Sequence, residues 1–117
     1  MTNGAMITSA YELAKAVHQI VSQFSEKKRD TIGQRMCETS VDVAAKIQDA
    51  LTTDDPVEQQ EALRLAGLDS IALEILVRIG TDLGLIDPNE SKRLSTSIAE
   101  IRAAVDRERR TVRRNPA

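Results

Sequence analysis

"DPVEQQEALRLAGLDSIALEILVRIGTDLGLIDPNE", residues 55–90, decides the fold because it begins and ends with the same helix-start signal. Asp55-Pro56-Val57-Glu58 and Asp87-Pro88-Asn89-Glu90 each put aspartate at the cap, proline at the first helical position and glutamate at the third. The aspartate closes an unpaired amide, and proline gives up only an N–H that has no helical partner there. A helix is therefore predicted from Pro56 to about Leu83, about 40 Å long at 1.5 Å per residue. Gly84-Leu85-Ile86 makes a turn, and the next helix opens at Pro88.

That last helix keeps Leu94, Ile98, Ile101, Val105 and Val112 on one face and runs into an arginine-rich end. Before residue 55, Leu13, Val17, Ile20, Val21 and Phe24 recur at helical spacing and predict a first helix from Thr8 to about Phe24, behind a flexible N-terminus of about residues 1–7. After the charged connection "SEKKRD", Thr31-Ile32-Gly33-Gln34 reads as a capping box. It opens a second helix that ends near Leu51 and carries Ile32, Met36, Val43, Ile47 and Ala50 on one face. Gly33, at its first turn, is placed to let another segment approach closely. Four helices with short connections predict an all-α, antiparallel up-down four-helix bundle, a single domain over residues 1–117.

The third predicted helix is apolar on two sides. Leu65, Leu68, Ala72, Ile75, Leu76, Ile79 and Leu83 make a face for the bundle core. Ala62, Ala66, Leu73, Val77, Gly80 and Gly84 make a second face about 100–120° round the helix. Either this helix is the central one of its own bundle, or the small-residue face is an oligomer interface.

Composition agrees with packed helices. Aromatic content is 2%, with one Phe, one Tyr and no Trp, so the core is aliphatic. Lone Cys37 excludes an internal disulfide and suits a reducing, cytoplasmic setting. No apolar run reaches the roughly 20 residues of a membrane span, and no signal peptide is visible. The formal net charge of −2 hides an asymmetry. From residue 102 onward six basic residues stand against two acidic ones, or +4, while the first 101 residues hold ten basic and sixteen acidic, or −6.

No catalytic constellation appears. His18 is the sole histidine and reads as a partly exposed structural residue beside Tyr11. No metal site is predicted, since a metal held in a bundle needs several inward histidine or carboxylate ligands. Cys37 has no basic partner to activate it, and no glycine-rich phosphate loop follows a strand, so no cofactor is expected. The arginines carry more information. Arg102, Arg107, Arg109, Arg110, Arg113 and Arg114 span about 160° of the helical wheel, away from the apolar stripe. They form either a solvated helix end that favours the helix dipole, or a patch for phosphate oxygens. Lys27, Lys28 and Arg29 extend that patch if the bundle brings the first connection close. With no aromatic residues interleaved, such a patch holds RNA or DNA backbone rather than reading bases.

"RDTIGQRM" (29–36), "ILVRIGTDLGLID" (75–87) and "RLSTSIAEIRAAV" (93–105) together resemble a family of four-helix bundles. These are the accessory variability determinants of diversity-generating retroelements, related to the intervening-sequence proteins of ribosomal RNA genes. The matching positions are Arg29, Thr31, Gly33, Gln34 and Arg35, with Ile32 and Met36 as conservative replacements, and Arg78 before the Leu-Gly-Leu-like turn. The resemblance covers about residues 10–105 and implies a homopentamer that binds a partner reverse transcriptase and nucleic acid, assisting mutagenic copying without catalysis. It carries over Arg29, Arg35 and Arg78 as nucleic-acid-binding positions. A protein-interaction scaffold whose arginine-rich end meets an acidic protein surface is the competing expectation.

Overall fold

The computed structural model describes residues 1–114 and is entirely helical apart from short connections. Helix α1 spans Asn3–Val21. It starts earlier than the periodicity indicated, because Thr2 Oγ1 accepts the Ala5 N–H at 3.1 Å and Met6 is buried in the core. Residues from Asn3 onward are thus part of the bundle and not a loose leader.

The second helical run corrects the capping-box reading. It opens with the short helix α2, Glu26–Lys28, passes through a π-helical turn, Arg29–Gly33, and continues without a break as α3, Gln34–Thr52. Thr31 lies inside this run, where its hydroxyl donates back to the Lys27 carbonyl at 3.0 Å. Gln34 reaches forward to Glu38 at 3.0 Å, not back to a free amide. The spacing of a capping box was present, but the preceding residues were already helical. The same turn explains Gly33. A Cβ there would stand 2.7 Å from Val21 Cγ1, 3.1 Å from the Lys28 carbonyl oxygen and 3.3 Å from Phe24 Cδ2. The glycine thus admits the side chains that end α1, and the π turn sits where they press in.

Both Asp-Pro signals act as predicted. Asp55 Oδ1 accepts the Val57 N–H at 3.0 Å and Asp87 Oδ1 the Asn89 N–H at 2.7 Å, starting α4 at Pro56–Asp82 and α5 at Pro88–Arg114. Between them Gly84 has φ 75°. The Leu85 N–H donates to Gly80 O at 2.9 Å and the Gly84 N–H to Thr81 O at 3.0 Å, the paired bonds of a Schellman stop. Ile86 then folds back over Gly80, where a Cβ would meet its Cδ1 at 2.7 Å.

Helices α1 and α4 are diagonal to one another, each packed against α3 and α5 in an antiparallel bundle. Polar ties pin α4 to both neighbours. Gln59 Nε2 donates to Ala50 O at 3.0 Å and Lys46 pairs with Asp69 at 3.4 Å on the α3 side. Ser95 Oγ donates to Glu74 at 3.1 Å and Thr81 bonds Ser91 at 2.8 Å on the α5 side.

These contacts reverse the reading of α4. Ala62, Ala66, Leu73, Val77 and Gly80, expected as an oligomer interface, are buried inside the chain's own bundle. Gly84 caps the helix and touches no such face. Of the face expected in the core, Leu76 is buried and Leu65 and Ala72 are half-buried, whereas Leu68, Ile75, Ile79 and Leu83 are exposed at 50%, 51%, 43% and 56%. Periodicity shows that α4 is apolar on two sides but not which side turns inward. The small residues turn in because they let the α4 backbone come close to its neighbours, which enlarges the buried contact per turn. Ser70, in the same file, is buried with its hydroxyl satisfied by Ala66 O at 2.8 Å.

Candidate nucleic-acid interface

The up-down topology sends the basic residues to two ends of a body 49 Å long. Lys27, Lys28, Arg29 and Arg35 lie where α1 hands over to α3, and Arg78 lies at the matching end of α4, since Gly80 faces Met36. Arg102, Arg107, Arg109, Arg110 and Arg113 occupy the last turns of α5 at the far end, tied to the start of α4 by a 3.0 Å bond from Gln60 Nε2 to Arg109 O. The expectation that Lys27, Lys28 and Arg29 extend the α5 patch is therefore corrected within one chain. Four antiparallel helices put the first connection and the last helix end at opposite poles.

At the α5 end Arg102, Arg107, Arg110 and Arg113 are exposed, as the wheel indicated. The side chain of Arg114 and residues 115–117 lie outside the described residues. Arg109 departs from the pattern. It is half-buried, and its Nε is the only side-chain polar atom among the described residues found buried without a hydrogen-bond partner. A buried guanidinium N–H left unpaired costs about 1–3 kcal/mol, more for a charged group. It lines a groove of about 620 Å³ between the first turns of α4 and the last of α5, with Val57, Gln60, Arg64, Val112 and Arg113.

Arg64 was absent from the sequence-based set because only the α4–α5 pairing brings it to Arg109 and Arg113. It is held on the outer face of α4 by Glu61, with 2.7 and 3.0 Å bonds to the two carboxylate oxygens. The guanidinium holds the Glu61 carboxyl below its ordinary range, chiefly through those hydrogen bonds. At the opposite pole Arg93 lines a second groove of about 550 Å³, between α1 and α5, with Gln19, Gln23, Asp87 and Glu90. There the carboxylates sit beside the arginine, so this groove lacks the cationic excess of the α5 end.

His18 and Cys37 lie outside both grooves. His18 Nδ1 lies 2.7 Å from Ala14 O on an exposed flank. Cys37 is a half-buried free thiol whose pKa is pushed up, first by burial and then by the neighbouring Glu38. Among the described residues no cluster of His, Cys, Asp or Glu could hold a metal ion, and no helix is long and apolar enough to cross a membrane.

The arrangement defines an all-α four-helix bundle with basic residues at both poles and an arginine-lined groove at the α5 end. Comparison with solved structures finds the same fold in a crystal structure of a protein of unknown function, from the S23 ribosomal protein family, of Bacteroides thetaiotaomicron. The two share 11% identity over 94% of this chain and 99% of the other, with a TM-score of 0.86. No protein-family model and no curated protein matches the chain.

Proposed function

We propose that the chain is a non-catalytic, self-associating accessory protein. In this reading it holds the phosphate backbone of RNA or DNA at the α5 pole and serves a partner reverse transcriptase, as the retroelement resemblance implies. The observation that carries it is one groove lined by Arg64, Arg109 and Arg113, with Glu61 its single carboxylate. A phosphate group in that groove would meet guanidinium groups whose planar forks suit its oxygens. The exposed arginines of the same turns add attraction without base recognition, which is the pattern of a positioning contact rather than a sequence reader.

The test is RNA and DNA binding across a salt series. Each phosphate neutralised adds about 0.9 to the log–log salt slope for duplex DNA and about 0.7 for single strands. The double variant Arg110→Ala/Arg113→Ala is expected to lower the slope by about 1.5–2 and weaken all sequences alike. Binding that ignores salt, or a slope unchanged in the variant, overturns the nucleic-acid reading. A second reading, a protein-interaction scaffold, is favoured by the apolar outer face of α4. Partner capture that survives nuclease treatment would support it.

A further inference from the structure

The arginine-lined groove does not end at the first turns of α4. A smaller groove of about 110 Å³ follows it along the α4–α5 seam, and Arg64 and Arg109 line both. Together they extend from Val57 to Ile71 on α4, about 21 Å at 1.5 Å per residue. Two chemistries share this seam. Arg102, Arg109 and Arg113 stand on the α5 side with Arg64 opposite, and Val57, Leu68 and Ile71 are exposed aliphatic side chains on the α4 side. The four guanidinium groups stand against two carboxylates, Glu61 and Asp106, so the seam keeps a cationic excess. Glu61 accepts from Nε and Nη2 of Arg64, which leaves the Nη1 hydrogens for a ligand.

We infer that the seam takes an unpaired nucleic-acid strand in preference to a duplex, with phosphates on the arginines and sugars or bases against the aliphatic side chains. This rests on the nucleic-acid reading of the α5 pole and narrows it to a substrate class. The bases of a duplex are stacked on one another, so it offers this seam little beyond phosphates. Bound there, it would leave Val57, which is 78% exposed, together with Leu68 and Ile71 in water. An unpaired strand can turn a sugar or a base face outward, and base faces settle on guanidinium planes as well as on aromatic rings. It thereby covers the aliphatic surface that a duplex leaves wet. The larger groove, about 620 Å³, lies in the range of roughly 300–1,000 Å³ that holds small ligands, so it has room for a nucleotide. No aromatic residue lines the seam, so the strand is held with little regard to base identity.

Fluorescence anisotropy of the full chain with an end-labelled, unstructured RNA of about 16 nucleotides, measured unpaired and annealed to its complement, tests it. The same pair is then measured as DNA. The unpaired strand is expected to bind at least about 10-fold tighter than the duplex at about 0.1 M salt. Val57→Ser/Ile71→Ser, which alters two exposed positions and no charge, should cut that ratio to about 3-fold or less, with circular dichroism showing an intact bundle. Equal affinity for the two forms, or a preference indifferent to the double variant, overturns the inference, and salt-dependent binding in either case leaves the function reading standing. Salt-dependent binding of neither form overturns both.

Discussion

Gly33 and Gly67 sit in helical backbone, yet adding one methyl group to each should move stability in opposite directions. At Gly33 the new Cβ falls 2.7 Å from Val21 Cγ1 and 3.1 Å from the Lys28 carbonyl. Neither neighbour yields readily, since Val21 is β-branched and buried and the carbonyl belongs to the backbone. Overpacking of this kind costs about 1–3 kcal/mol, against which alanine's better helix propensity returns about 0.5–1. Gly33→Ala should therefore lose about 0.5–2 kcal/mol. At Gly67 nothing stands within 4 Å of the added Cβ, so only the propensity term acts and Gly67→Ala should gain about 0.5–1 kcal/mol. For a domain of this size each kcal/mol moves Tm by roughly 3–6 °C. Calorimetric melts of both variants at one protein concentration should bracket the wild type, with urea unfolding as a second measure. A Gly33→Ala protein as stable as Gly67→Ala would refute the claim that the π turn and its glycine exist to admit Val21 and Phe24.

Two further predictions concern the α3 thiol and the α4 faces. Because burial and Glu38 both disfavour the thiolate, native Cys37 should react with iodoacetamide more slowly at pH 8–9 than after denaturation, and Glu38→Gln should raise the native rate. Equal native and denatured rates would contradict the burial. Leu73→Ala should cost about 2–5 kcal/mol of unfolding free energy by opening the core, whereas Ile79→Ala should change the dilute monomer by less than about 0.5 kcal/mol. Comparable losses at both positions would mean that α4 is turned the other way.

Local chemistry made the helix starts of α4 and α5 legible. Asp55, Pro56, Asp87 and Pro88 act on their own next two or three residues, and Gly84 answers to its own φ, so no distant contact is needed to predict them. Thr31 and Gln34 mimicked the same grammar, but their role depended on whether residues 26–30 were already helical, which α1 packing decides. The orientation of α4 was illegible for a related reason. Two apolar faces satisfy periodicity equally well, and the choice rests on how closely α3 and α5 approach. The arginine-rich end of α5 could be counted from the sequence, yet its half-buried member could not. Arg109 is set apart by Gln60 and Arg64, some 45–49 positions away and brought alongside by the bundle.

The separation of the basic residues into two poles also bears on how the bundle could hold a long polyanion. Within one chain, Lys27, Arg29, Arg35 and Arg78 stand at one end of a 49 Å body, and the α5 arginines stand at the other. Acidic residues between them leave the whole molecule at −2. Beyond about 10 Å the two groups scarcely reinforce each other at physiological salt. Self-association, part of the proposed function, would set several such poles side by side, and weak backbone contacts would then act with the effective concentration of linked sites. RNA affinity should accordingly rise with protein concentration through the range in which light scattering shows the chain associating. An affinity that stays constant through that range would mean that one pole of one chain suffices.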